Sequence, residues 1–344
     1  LNNMKPYLEK ILSENGLNIE EMKSASRVLF SDDVSEGEMG AFLATLNFKG
    51  ETAEEITGLV EVIKEKAVPI PCSVPHVMDN CGTGGDQSHS FNISSTAAFV
   101  LAGAGIKVAK HGNRSVSSKT GSADVLEILG VSLSFPAEKI EELLDQIGIA
   151  FLFAPNVHPA LKKMMKIRKD LRIPTIFNLI GPLTNPIELE TQLLGIYRRD
   201  MLETMAEVLH RLGRKRALVI NGAGYLDEAS LSGENHFALL DQGDIHTFTL
   251  SPEDVGLPTY TNEEIRGGDA KKNSEILLSV LNGEQSPYRD TVLLNAGLGI
   301  YANGAANNIE EGIQLAKESI DSKAALNKLN TLIEVSRKLT QEVI

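Results

Sequence analysis

Apolar positions follow two different rhythms along this chain. Over residues 4–66 they recur at helical spacing. Leu8, Ile11 and Leu12 fall on one helix face. A second segment, 18–29, opens with Asn18 as a cap and Glu21 at the capping-box position. A third, 35–46, carries Met39, Phe42, Leu43 and Leu46. A fourth, 52–66, starts with a Thr52–Glu55 capping box and places Ile56, Leu59, Val60 and Ile63 at i, i+3, i+4 and i+7. Four short helices bury little alone, so part of this bundle is expected to pack on another subunit. Residues 67–75 hold three prolines in nine positions, a stiff connector where we place the domain boundary.

From residue 76 onward short apolar runs alternate with helical segments. Strands are expected at 106–109, 150–153, 175–177, 193–196, 217–220, 238–240 and 247–250. Helices are expected at 94–104, 123–129, 137–146, 159–169, 200–212, 273–281 and 287–301, and one or two amphipathic helices at 309–338. Such alternation implies an α/β class with a mostly parallel sheet covered by helices. The expected organisation is a small N-terminal helical domain over 1–70, joined by helices near 170–190, and a larger α/β domain over 76–344.

Composition narrows the function classes. Hydrophobic residues make up 42% of 344, enough for a sizeable core. The balance of 33 Lys+Arg against 46 Asp+Glu leaves a net charge of −13 and disfavours a general nucleic-acid binder. It also means that a polyanionic substrate needs a local cationic site or metal ions. Cys72 and Cys81 fit no zinc template, and no disulfide framework is indicated. No signal peptide and no apolar run near the ~18–20 residues of a membrane span is present, so a cytoplasmic protein is expected.

Two loops carry candidate chemistry. The first, 82–90, contains Gly82-Thr83-Gly84-Gly85-Asp86 and precedes a helix for which Ser94, Ser95 and Thr96 are available as N-caps. The G-x-G-x-x-G template fails at Gln87, and no Walker pattern occurs. A tight glycine turn is the alternative. The second loop follows the 106–109 strand and reads KHGNRSVSSK over 110–119, with Ser122 able to cap the next helix. A solvated basic loop is its alternative. Both loops suit an anion approached by backbone amides, and their proximity favours one shared polyanionic ligand. Further on, Asp227 and Glu228 stand side by side after the 217–220 strand. They suit Mg²⁺, which prefers oxygen ligands and keeps several waters, or else form a solvated acidic loop. Arg168 reads alone as a surface cation near a helix C-terminus. The segment 177–186, FNLIGPLTNP, reads as a structural connection back to the helical domain.

GTGGD, FNISS and KHGNRSVSSKTGSADVLE, in that order, resemble the anthranilate phosphoribosyltransferases of tryptophan biosynthesis, and the resemblance covers nearly the whole chain from Met4. It implies the nucleoside phosphorylase/phosphoribosyltransferase type of fold. It also implies transfer of phosphoribose from phosphoribosyl pyrophosphate (PRPP) to anthranilate, with two Mg²⁺ per subunit and a homodimer formed through the helical domain. By the same resemblance PRPP would meet Gly82, Gly85, Asp86, Ser90, Asn92, Ile93, Ser94, Ser95, Lys110, His111, Gly112, Asn113, Arg114, Ser115, Val116, Ser117, Ser118 and Ser122. Anthranilate would meet Gly82, Asn113, Arg168 and His158, although a structural role for His158 at a helix start stays open. Ser94, Asp227 and Glu228 would hold metal, and no protein nucleophile is implied. The chain departs from the family pattern at Gln87 and Arg172, where glycine is usual, and at Ser90, where threonine is usual. A pyrimidine nucleoside phosphorylase-like enzyme and a non-enzymatic nucleic-acid-binding relative are the alternatives. The complete KHGNRSVSSK and the Asp227–Glu228 pair speak against the first, and the negative charge against the second.

Overall fold

The computed structural model describes residues 3–13, 15–114 and 120–342. The N-terminal bundle comprises α1 (Lys5–Leu12), α2 (Ile19–Leu29), α3 (Glu36–Lys49) and α4 (Ala53–Glu65). Asn18, Ser35 and Thr52 each accept the N3 amide of their helix, and Glu21, Glu38 and Glu55 return the bond, so three capping boxes set three helix starts. Glu55 is fully buried. Its carboxyl accepts from Lys49 Nζ at 2.9 Å, the Leu17 amide at 3.0 Å and the Thr52 amide at 2.9 Å. A buried carboxyl so completely bonded ties α4 to α3 and to the chain ahead of α2. In α1, Ile11 is buried, but Leu12 is 69% exposed.

Among the described residues a single seven-stranded sheet follows. Its strands are β1 (Val77–Gly82), β2 (Lys107–Gly112), β3 (Ile149–Phe153), β4 (Thr191–Gly195), β5 (Arg216–Asn221), β6 (Asn235–Asp241) and β7 (Asp244–Leu250). The order is β3-β2-β1-β4-β5-β6-β7. The first five strands are parallel; β6 and β7 pair antiparallel. Gln242 and Gly243, at φ 50° and 97°, supply the left-handed pair that a two-residue hairpin needs between β6 and β7. Helices α5 (Ile93–Gly103), α6 (Ser122–Leu129) and α7 (Ala137–Gln146) carry the chain outward from β1 through β2 to β3. After β3 the chain crosses back through α8 (Ala154–Val157) and α9 (Lys162–Leu171) to lay β4 against the other edge of β1. The strand order therefore reverses between β1 and β4, the place where open α/β sheets bind ligands beyond their strand ends.

Period-two alternation along the strands builds two cores, one on each face. Leu194, Ile196, Ala217, Val219, Ala238 and Leu240 join the N-terminal bundle, α9 and α10 (Leu202–Arg211). Leu193, Leu218, Ile220 and Leu239 join α5 and the C-terminal helices α11 (Ala270–Leu281), α12 (Pro287–Asn303), α13 (Ile309–Asp321) and α14 (Ala324–Glu342). Burial on both faces is why these strands read as unbroken apolar runs.

Four expectations need correction. Residues 175–177 are not a strand. Thr175 caps a 3-10 turn, Ile176–Asn178, and so short an apolar run carries no period to separate the two. The helix expected at 159–169 opens as a 3-10 turn at Pro159–Leu161 and becomes α9 only from Lys162, and the short α8 before it stays separate because Pro159 has no amide to continue it. Asn92 and Gly121, not Ser94–Thr96 and Ser122, stand at the N-cap positions of α5 and α6. Gly82 ends β1 rather than opening the loop. Among the described residues no helix is long and apolar enough to cross a membrane.

Candidate active site

The carboxyl ends of β1, β2 and β5 open into one cavity of about 370 Å³. The acidic loop after β5 is seated directly on glycine. A Cβ on Gly82 would lie 2.1 Å from Asp227 Oδ2, and one on Gly195, its partner at the end of β4, 1.5 Å from the Asp227 carbonyl oxygen. Only bare backbone allows this approach. The Gly84 amide donates to Asp227 Oδ2 at 2.7 Å, and the Asp227 amide donates to Asp86 Oδ2 at 3.3 Å. The first turn of α5 brings the Ser94 amide and hydroxyl onto the Glu228 carboxylate. Lys110 Nζ, buried at the end of β2, donates to the Asn80 carbonyl at 2.6 Å and to Ser94 Oγ at 3.2 Å.

Burial raises the Asp227 carboxyl well above the usual carboxylate range, and the neighbouring Asp86 and Glu228 charges add to the shift. Burial likewise pushes Glu228 up to about 7, against the pull of Lys110. Three carboxyls thus crowd together, and of the three Lys110 bears on Glu228. This donor set suits a cation, since a divalent ion would relieve the repulsion that raises these groups. Among the described residues no group of three or more His, Cys, Asp or Glu side chains forms a ready metal cage. That fits Mg²⁺, which commonly takes one or two carboxylates and completes its shell with water and substrate phosphate.

Arg168, from the last turn of α9, lines the same cavity. Among the described residues its guanidinium makes one hydrogen bond, to Met165 Sδ at 3.6 Å. It borders the cavity as a cation with its forked donors free for a carboxylate. His111 donates from Nδ1 to the Gly181 carbonyl at 3.2 Å, and its own amide is held by buried Asp79 at 3.4 Å. Burial pushes its imidazole down to about 3, so it is neutral.

The cavity brings together Gly82, Gly85, Asn92, Ser94, Ser95, Lys110, His111, Gly112, Asn113, Arg114, Ser122, Arg168, Asp227 and Glu228. Four other expected residues are not in its wall. His158 sits behind His111, edge-to-face at 5.3 Å between ring centroids, with Nε2 on the Thr184 carbonyl at 2.8 Å. Ile93 is buried in the core. Asp86 stands behind Asp227 and also accepts the Ser88 amide at 3.1 Å. Ser90 bridges to Arg266 and faces a neighbouring cavity. Arg114 borders the site, but its guanidinium is committed to Asp124 at 2.8 Å and Glu127 at 2.9 Å. Ser115, Val116, Ser117 and Ser118 lie outside the described residues. The wall also holds Thr83 and Gly84 of the first loop, and residues the sequence reading missed: Cys81, Ala154, Phe177, Asn178, Gly181 and Pro182. The last four come from the segment read as purely structural; an aromatic beside an amide in a turn-rich stretch was its one available signal.

Two family models match the chain in order: the helical bundle domain of a glycosyl transferase family over residues 5–67 and its a/b domain over 74–326. The chain is 60% identical to the anthranilate phosphoribosyltransferase of Bacillus mycoides over 340 residues, covering 99% of this chain and 100% of that one. It is 61% identical to the enzyme of that name from Exiguobacterium sibiricum over 341 residues, with the same coverage. The crystal structure of the Thermus thermophilus enzyme superposes with a TM-score of 0.91 at 38% identity, covering 96% of this chain and 99% of that one. The Saccharomyces cerevisiae enzyme in complex with PRPP and Mg superposes with a TM-score of 0.89 at 27% identity, covering 97% and 98%. By its two matched domains and its full-length relatives, the chain belongs to the anthranilate phosphoribosyltransferase family.

Proposed function

We propose that this protein transfers the 5-phosphoribosyl group from PRPP to the amine of anthranilate, giving N-(5-phosphoribosyl)anthranilate and pyrophosphate, the second step from chorismate to tryptophan. The observation that carries this reading is that one cavity is lined by the acidic pair Asp227 and Glu228, by Lys110 and by Arg168. A polyanion flanked by cations fits the acidic pair and Lys110, and an aromatic carboxylate fits Arg168.

In this reading the 82–86 and 110–118 loops receive PRPP, with the α5 N-terminus beside them, since free amides at a helix start favour negative charge. Ser94, Asp227 and Glu228 would hold Mg²⁺, two ions per subunit, which when bound neutralises the leaving diphosphate as a Lewis acid. Arg168 grips the anthranilate carboxylate and so aims the amine. The C1–O bond breaks with its electron pair on diphosphate, the amine lone pair closes on C1, and the nitrogen then releases one proton. No protein nucleophile takes part; the protein's contribution is orientation and charge stabilisation. PRPP would further meet Gly82, Asn92, Ser95 and Lys110, with Gly82 and Asn113 also near the acceptor. His158 would act through His111.

The same reading divides the chain into the helical domain of 1–70, joined by residues near 170–190, and the α/β domain of 76–344. Two subunits would pair through the helical domain: Leu12 on α1 and Phe48 on α3 are 69% and 91% exposed, and α1 packs on α3. Light scattering should give twice the 37.2 kDa of one chain. PRPP, a highly charged substrate that does not cross membranes, supports a cytoplasmic site of action.

Anthranilate consumption, followed with PRPP at graded Mg²⁺, tests the reading. It should require both PRPP and Mg²⁺. Phosphorolysis of a pyrimidine nucleoside without Mg²⁺, and no anthranilate consumption, would overturn it in favour of the phosphorylase reading.

A further inference from the structure

From outside the cavity the loop that carries Asp227 and Glu228 is held at Ala223 by Asn235 and Asn262, and around Tyr225 by Arg199. Arg199 lies in the 3-10 turn Arg199–Met201 that leads from β4 into α10. Its Nε donates to Asn221 Oδ1 at 2.8 Å and its Nη2 to the Gly222 carbonyl at 3.3 Å. Its guanidinium carbon stands 4.4 Å from the centre of the Tyr225 ring. The neighbouring Arg198 is spent on ion pairs with Glu51 and Asp200. Arg199 instead places its bonds and its charge on neutral groups of the loop.

Tyr225 makes that grip informative. Its φ is 63°, left-handed, in a bulky residue that is 58% exposed. An aromatic side chain rarely adopts this region, and such outliers persist where surrounding contacts over-determine them. Packing does not impose it, because most of the ring faces solvent. Among the described residues the ring is stacked by the Arg199 guanidinium.

The geometry beyond Tyr225 transmits the constraint. The Gly222 amide bonds the Leu226 carbonyl at 2.8 Å, closing the loop on itself, and Leu226 is buried. Asp227 follows at once, wedged against Gly82 and Gly195 with no room to adjust. A change in backbone angle at Tyr225 therefore reaches Asp227 two residues later.

We propose that Arg199 is a positioning residue: clasping Asn221, Gly222 and Tyr225, it holds the acidic loop in the left-handed turn that sets Asp227 and Glu228 for Mg²⁺-bound PRPP. This rests on the reading of the acidic loop given above.

Calorimetric PRPP binding at graded Mg²⁺ tests it on folded Arg199→Met, Arg199→Lys, Tyr225→Ala and Tyr225→Phe, with thermal midpoints recorded for each. Arg199→Met and Tyr225→Ala should raise the Mg²⁺ needed for half-maximal PRPP binding about fivefold, and binding should recover at high Mg²⁺. Arg199→Lys should fall between Arg199→Met and wild type, and Tyr225→Phe should match wild type. Lower midpoints with unchanged Mg²⁺ demand would show a merely structural contact and overturn the proposal. Should Arg199→Met not fold, Tyr225→Ala against Tyr225→Phe decides alone. Glu228→Ala in the same titration separates the two levels: if it leaves the Mg²⁺ demand unchanged, the acidic-loop reading itself fails; if it shifts the demand and the Arg199 and Tyr225 variants do not, only the positioning role fails.

Discussion

Gly195 and Asp227 touch so closely that a Cβ on Gly195 would fall 1.5 Å from the Asp227 carbonyl oxygen. The end of β4 thus serves as the bed of the acidic loop, and the contact is backbone on backbone, which no rotamer change can relieve. Gly195→Ala should lower stability by about 1–3 kcal/mol, as overpacking does, and reduce turnover at least tenfold by displacing Asp227. Urea unfolding and steady-state rates check both. An alanine variant with wild-type stability and rate would show that the loop has slack.

The carboxyl pair should be dispensable for folding and indispensable for turnover. Asp227 and Glu228 are half-buried near Asp86, and their surroundings raise both carboxyls above the usual range. Replacing both by alanine should leave the circular dichroism spectrum intact and abolish the reaction at ordinary Mg²⁺. Each single variant should raise the Mg²⁺ required for half-maximal rate, with the larger effect at Glu228. Superimposable Mg²⁺ curves for all four proteins would sink the metal assignment.

Arg168→Ala should separate the substrates. Its guanidinium has no carboxylate partner among the described residues and lines the cavity. Loss of a charge-assisted pair, roughly 1.5–3 kcal/mol, should cut kcat/KM for anthranilate about tenfold to a hundredfold. PRPP affinity should hold. A variant that loses PRPP binding and keeps its anthranilate parameters would reverse the substrate assignment.

His111 should make the fold acid-sensitive. Burial lowers its imidazole from 6.5 to about 3, so the folded protein keeps it neutral while the unfolded chain takes up a proton below about pH 6.5. The stability it confers is complete above that pH and is lost as pH falls towards 3, by up to about 1.4 kcal/mol per pH unit. His158, lowered by burial as well, adds to the loss in the upper part of this window. Between pH 7 and pH 5, urea unfolding of wild type should lose about 2 kcal/mol more than that of His111→Asn. Equal losses would mean that the histidine is not held neutral.

Two departures from the family pattern find their physical meaning in the backbone. Gln87 and Arg172 stand where relatives of this family usually carry glycine, and their φ values are 57° and 54°. The chain keeps the left-handed turn at both places without the residue that adopts it most easily. Arg172 still ends α9 as its left-handed cap, so Arg168 one turn earlier keeps its place.

What the sequence determined by itself is local. Helix starts at Asn18, Ser35 and Thr52, the proline connector, the apolar strand runs and the two anion-suited loops all follow from residues within a few positions of one another, where periodicity and capping chemistry act. Which of these meet is a different matter. Gly84 and Asp227 are 143 residues apart in the chain and 2.7 Å apart in space. They meet because β4 returns to pair with β1 and reverses the strand order there. The same return lays Phe177, Asn178, Gly181 and Pro182 into the cavity wall and sets His158 behind His111. Only the tertiary structure decided these, because a contact between distant segments depends on how the two faces of the sheet are covered, and no local pattern carries that information.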